Sequence, residues 1–163
     1  MQKVFLGIGT NIGDRDENID IAYRYIENKI GNIIKKSNRY KTAPWGVLNQ
    51  PDFINTCVLV ETIIDHDELL KQIADIEKEM GRIRYKKWGE RLIDIDILFY
   101  GNEIIKTEKL TIPHSYIQER IFVVKPLEDI DPNYLHPVLN KTIAQIAKNC
   151  SDKTAYSISK YES

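Results

Sequence analysis

Residues 91–100 read RLIDIDILFY, and two carboxylates stand inside a run that is otherwise apolar after its first residue. Alternation of this kind has the period of a β-strand, in which side chains two apart share a face and sit about 7 Å from one another. Ile93, Ile95, Ile97 and Phe99 are therefore expected on one face. Asp94 and Asp96 are expected on the other, together with Leu92, Leu98 and Tyr100. A plain reading would turn that second face to water, yet three of its five residues are large and apolar. Parallel carboxylates on a partly covered face repel one another, and a divalent cation relieves the repulsion.

Working outward, VFLGIG (4–9) reads as a short buried strand, and Asp14 or Asp16 can cap the helix expected after it. Ile19, Ala22, Tyr23, Ile26 and Ile30 recur at helical spacing over 16–30, with Gly31 closing the helix. IIKKSNRYKT (33–42) suits a strand near a sheet edge, and APWGVLNQPD (43–52) must be a loop. FINTCVLVET (53–62) is a strong strand. Asp65 and Glu68 then open a second helix, with Leu69, Ile73, Ile76 and Met80 as its stripe and Gly81 as its stop. After the strand that carries Asp94, the segment 101–114 has the look of a hairpin or a short turn. SYIQERIFVVKPL suits a helix, KTIAQIAKN a small last one, and the tail from Ser151 shows no pattern. The order β-α-β-β-α-β predicts an α+β ferredoxin-like sandwich: an antiparallel sheet, both main helices on one face, and appended C-terminal elements. Residues 1–163 are expected to form one domain, with 151–163 as a tail.

The chain carries 23 basic and 24 acidic residues, so no global field draws it to nucleic acid or a membrane surface. Apolar content of 42% and charged content of 29% are ordinary for a globular chain. Cys57 and Cys150 form neither a disulfide framework nor a zinc site. The apolar run near the start is too short for a signal segment, and no run approaches the roughly twenty residues of a membrane span. The expectation is a cytoplasmic monomer with small-molecule partners.

Hard oxygen donors with no histidine or thiolate nearby in the sequence favour Mg²⁺ over zinc at Asp94 and Asp96. Just before them lie Arg82, Arg84, Lys86, Lys87 and Arg91 against the single Glu90. Such a stretch alone is usually a solvated loop; beside a Mg²⁺ pair it reads as a polyphosphate site, with guanidinium forks on the phosphate oxygens. Trp88 offers a stacking face for a flat ring. GIGTNIG near the start misses the dinucleotide fingerprint by one residue, so Gly7, Gly9 and Gly13 are expected to serve a tight turn. His66 suits a helix start and His136 a loop, and His114 follows a proline that would fix its direction. Asn55 shares a strand face with Phe53 and Cys57 and needs a partner, either local backbone or a heterocycle edge.

Four blocks, GIGTNIGDR, YKTAPWGVLNQPDFIN, KWGERLIDIDIL and LTIPHSYIQERIFVVKPL, closely resemble the 6-hydroxymethyl-7,8-dihydropterin pyrophosphokinase family over nearly the whole chain. The resemblance implies diphosphate transfer from ATP to the pterin hydroxymethyl group in folate biosynthesis, with AMP released and two Mg²⁺ ions engaged. It implies that Asp94 and Asp96 hold both metals, while Arg82 and Arg91 steady charge at the transferred group. Glu77, Arg84, Trp88, Arg91, Ile97, Lys109, Thr111, His114 and Arg120 would line the ATP site. The pterin would lie between Phe53 and Phe122, close to Trp88, with its edge read by Asn55 and by Thr42, Ala43 and Trp45. Phe53 replaces a Tyr common in the family, Lys109 an Arg, and Ser115 an aromatic. Two other readings compete: a metal-dependent nucleotidyltransferase, and a non-catalytic ferredoxin-like binding module.

Overall fold

The computed structural model describes residues 1–42, 51–81 and 92–159. Strand β1 (Gln2–Thr10) leads into α1 (Arg15–Lys29), whose N-cap Asp14 accepts from Glu17 N–H at 3.1 Å. Strands β2 (Asn32–Lys36) and β3 (Arg39–Thr42) follow along one edge of β4 (Phe53–Thr62), and α2 (His66–Glu79) is capped by Asp65. The expected single strand over 33–42 is thus two. Ser37 lies at the break, and its hydroxyl accepts from Cys57 N–H at 2.8 Å. Gly31 ends α1 for a reason other than left-handed backbone. A Cβ there would stand 2.0 Å from the Glu61 carbonyl oxygen, so only glycine lets the chain cross β4 this closely.

Strand β5 (Asp94–Tyr100) pairs with the far side of β1, and its register corrects the expected faces. Gly9 faces Asp94, Gly7 faces Asp96 and Leu6 faces Ile97, but Phe5 then faces Phe99. Leu98 is the extra residue of a β-bulge, and a bulge inverts the alternation beyond it. Phe99 therefore joins Leu98 on the aspartate side, and Tyr100 turns over to join Ile93, Ile95 and Ile97. A hairpin, β6 (Ile105–Lys106) with β7 (Thr111–Ile112), comes next, as expected. The segment read as one helix divides into a 3-10 turn at Ile117–Glu119 and α3 (Ile121–Ile130), and α4 (Ile143–Lys148) follows with a capping box at Thr142. The tail is not formless. It supplies β8 (Tyr156–Ser159), which pairs with β3 and so removes β3 from the sheet edge.

The main sheet runs β5-β1-β4-β3-β8 and all its neighbours are antiparallel. Helices α1 and α2 cover one face over a core that includes Leu6, Ile19, Val58, Ile76 and Ile95. Helices α3 and α4 cover part of the other over Phe5, Cys57, Leu98, Phe99, Val124 and Ile146. Arg39, only 6% exposed, ties β3 to α1 through Asp16 and Asp20. Burial opposes its charge, but those two carboxylates more than compensate. Among the described residues no helix is long and apolar enough to cross a membrane.

Gly31→Ala forces a methyl into backbone that has no rotamer to yield. Overpacking of that kind costs about 1–3 kcal/mol or more, and urea unfolding of the variant is expected to fall by at least that amount. A wild-type midpoint would show that β4 and the end of α1 separate freely.

Candidate active site

The pairing of β1 with both neighbours lays out the site. On the face opposite α1 and α2, Gly9 lies between Asp94 on β5 and Asn55 on β4, and Gly7 lies between Asp96 and Cys57. Two bare positions on β1 thus leave a floor of backbone between the carboxylates and the amide. This corrects the tight-turn expectation: Gly7 and Gly9 are strand residues, and of the three only Gly13, at φ 67°, occupies a turn conformation. A Cβ on Gly9 would lie 2.6 Å from Asn55 Oδ1, so the glycine is what admits the carboxamide.

The same carboxylates enter a cleft of about 450 Å³ at the outer edge of β5. Ala74 and Glu77 of α2 line one side, Asp94, Ile95 and Asp96 the middle, and His114, Tyr116 and Arg120 the other. Edge strands leave backbone donors unpaired; here Glu77 Oε2 accepts from Ile95 N–H at 3.0 Å and His114 N–H donates to the Leu98 carbonyl at 3.0 Å. His114 Nδ1 accepts from Tyr116 N–H at 3.3 Å, so a neutral ring carries its proton on Nε2. Burial first and Arg120 second hold His114 below the ordinary histidine value, with Asp94 pulling the other way. The Arg120 guanidinium stands 5.0 Å from the Tyr116 ring and 5.9 Å from that of Phe122. Cation–π contact on both sides limits where it can point.

The turn after β1 anchors the strands that carry these groups. The buried Thr10 hydroxyl donates to the Leu92 carbonyl, just before β5, and Asn18 Nδ2 donates to Thr10 Oγ1 at 3.3 Å. Asn11 Nδ2 reaches the Pro51 carbonyl at 3.3 Å, and Arg15 Nη1 the Asp52 carbonyl at 2.7 Å, both ahead of β4.

Of the residues singled out from sequence, Glu77, Asp94, Asp96, His114 and Arg120 meet in the cleft. Ile97 lies next to it with its side chain buried in the helix-side core. Lys109 and Thr111 are exposed on the hairpin turn and on β7. Asn55 and Phe53 occupy the glycine-floored side of β4, Thr42 is buried opposite Phe53, and Phe122 is half-buried in the first turn of α3. Ala43, Trp45, Arg82, Arg84, Trp88 and Arg91 lie outside the described residues, as do the loop 43–50 and the basic stretch 82–91. Sequence reading missed Tyr116. It follows Ser115, the residue noted for replacing an aromatic, and it brings an aromatic ring into the cleft one position later. Also missed was the part of Gly7 and Gly9, whose signal was their two-residue spacing inside an apolar strand.

Asp94 and Asp96 fit a Mg²⁺ site by donor type and by placement on one face of β5. Among the described residues no group of three or more His, Cys, Asp or Glu is placed to hold a metal. Mg²⁺ commonly takes one or two carboxylates and completes its shell with water and substrate phosphate.

Comparison with known proteins gives a consistent family. Residues 5–132 match the family model described as 7,8-dihydro-6-hydroxymethylpterin-pyrophosphokinase. The chain is 41% identical over 145 residues to the 2-amino-4-hydroxy-6-hydroxymethyldihydropteridine pyrophosphokinase of Aquifex aeolicus, covering 89% of this chain and 90% of that one. The Haemophilus influenzae protein of the same name is 36% identical over 154 residues, covering 93% and 95%. Among solved structures, wild-type Plasmodium falciparum HPPK-DHPS superposes with a TM-score of 0.74 at 21% identity. That match covers 90% of this chain but only 44% of the longer one, and it bears on the fold alone.

Gly9→Ala and Gly7→Ala should separate cleanly. The first meets Asn55 Oδ1 at 2.6 Å, while the second meets nothing nearer than Leu98 Cδ1 at 3.4 Å. Chemical denaturation is expected to show a loss of about 1–3 kcal/mol for Gly9→Ala and a clearly smaller one for Gly7→Ala. Equal losses would mean that the amide does not rest on Gly9.

Proposed function

The chain belongs to the 7,8-dihydro-6-hydroxymethylpterin-pyrophosphokinase family, and from that premise we propose that it transfers diphosphate from ATP to the hydroxymethyl group of 6-hydroxymethyl-7,8-dihydropterin. AMP is the second product, and the reaction is a step of folate biosynthesis. The observation that carries this reading is the glycine-floored face of the sheet, with two carboxylates on one side and a carboxamide on the other. It offers a charged group for a phosphate chain and a hydrogen-bonding edge for a flat heterocycle, two strand spacings or roughly 10 Å apart. The relatives matched over nearly their full length are named as pyrophosphokinases, and neither a nucleotidyltransferase nor a binding module finds support among them.

The chemistry requires the acceptor hydroxyl to approach the β-phosphorus while the bond to the α-phosphate oxygen breaks. In the proposed arrangement Asp94 and Asp96 would hold two Mg²⁺ ions, which would supply positive charge to neutralise phosphate oxygens and make the acceptor hydroxyl more acidic. A carboxylate at this position can also take the hydroxyl proton. Arg120 and His114 face the phosphates, His114 as a neutral donor through Nε2. Glu77, already committed to Ile95, fixes the free edge of β5. Ile95 turns its N–H away from β1, so the two-residue period directs the main chain of Ile97 the same way; with its side chain buried, Ile97 reaches a nucleotide only through backbone. Thr111 and Lys109 on the hairpin extend that edge. On the other side Asn55 reads the pterin, with Phe53 and Phe122 as its walls and Thr42 supporting β3. Arg82, Arg84, Trp88 and Arg91, with Ala43 and Trp45, are assigned by family likeness. A monomer in the cytoplasm, acting as one catalytic unit on two small molecules, is the simplest form of this activity.

Incubation with ATP, Mg²⁺ and 6-hydroxymethyl-7,8-dihydropterin is expected to release AMP only when the pterin is present. Asp96→Asn is expected to lower kcat by about a thousandfold or more with a melting temperature close to that of wild type. Retained turnover in that variant would overturn the metal assignment.

A further inference from the structure

Helix α3 has no adequate start of its own. Its N-cap position is Arg120, whose side chain makes no capping bond. Arginine is a poor residue there on two counts: it offers no acceptor, and its charge meets the positive end of the helix dipole. A different free donor of the helix start, the first amide, is met from 31 residues further along the chain, where Asp152 Oδ2 accepts from Ile121 N–H at 3.0 Å. The carboxylate is fixed before it reaches the helix, because Oδ1 accepts from Thr154 N–H at 3.0 Å and from the Thr154 hydroxyl at 2.6 Å. Burial works against the charge on Asp152, but these hydrogen bonds outweigh it and hold the group below the usual carboxylate range. A full negative charge therefore stands at the helix start at neutral pH, where the dipole favours it. The same tail continues into β8, which sets Tyr156 opposite Thr42.

Ile121, the residue held by Asp152, lies between Arg120 and Phe122. We propose that Asp152 is a positioning residue for the pterin side of the site, holding the first amide of α3 with a carboxylate and so fixing the direction in which α3 presents Phe122. The arrangement releases Arg120 from the capping position's usual task and leaves its guanidinium to the cleft. It also makes the C-terminal tail part of the working site. The proposal rests on Phe122 being a wall of the pterin site, the role given to it under the proposed function.

The test compares steady-state kinetics and melting of Asp152→Ala, Asp152→Asn, Asp152→Ser and Phe122→Ala with wild type. Asp152→Ala is expected to raise the KM for the pterin about fivefold, the worth of one helix cap, with kcat and the KM for ATP within about twofold. Asp152→Ser keeps a local acceptor for Thr154 but is too short to reach Ile121, and should show the same rise if Asp152→Ala folds poorly. Asp152→Asn keeps one acceptor oxygen but loses the second and the charge, and should fall between wild type and Asp152→Ala. A lowered melting temperature with an unchanged pterin KM in Asp152→Ala and Asp152→Ser would make the role merely structural and overturn the proposal. Phe122→Ala separates the two levels of the reading. Should it raise the pterin KM where Asp152→Ala does not, the pterin wall stands and the positioning role falls. Should neither variant raise it, the assignment of Phe122 falls and takes the positioning role with it.

Discussion

The hydrogen-bonded register of β5 against β1 is the constraint on which fold and site both depend. It sets Asp94 beside Gly9 and Asp96 beside Gly7. A slip of one residue would move both carboxylates under α1 and α2 and put Ile95 and Ile97 on the open face. Burying two unpaired charges among Leu6, Ile19 and Ile76 would cost more than a small chain of this kind has to spare. The bulge at Leu98 lets one strand serve two demands. Its first half offers acids to the open face, and its second half offers Leu98 and Phe99 to the apolar layer beneath α3 and α4.

On the proposed reading the two substrates meet this strand from different directions. The nucleotide lies along the outer edge, where main-chain groups and the cleft residues of α2 and the 113–120 segment converge. The pterin lies across the face, over glycine backbone. The carboxylates belong to both regions, which is what a transfer between the two molecules demands. Around this centre the supporting contacts come from remote parts of the chain: Thr10 and Asn18 at the head of β5, Asn11 and Arg15 ahead of β4, Asp152 at the head of α3.

Much of this was legible in the sequence, because the strongest signals were local. The period of Ile19, Ala22 and Ile26 marks α1, the caps Asp14 and Asp65 fall where the structure has them, and the two-residue alternation around Asp94 marks β5. What escaped depends on partners distant in the chain. The bulge is visible only against β1, since nothing in ILF announces an extra residue. Gly31 looks like a helix stop, and its true reason, the Glu61 carbonyl, lies on another strand. β8 is four exposed residues whose conformation comes from docking on β3. Tyr116 was hidden because the resemblance directed attention to the position before it.

The outermost position of β5 carries one more consequence. A largely apolar strand at a sheet boundary is a template for pairing with another chain. Here the contacts that shape the cleft also block that template: a carboxylate occupies the amide of Ile95, and the 113–120 segment occupies the carbonyl of Leu98. Glu77 and the 113–120 segment, which wall the cleft, thus also keep the strand from zipping to its neighbours.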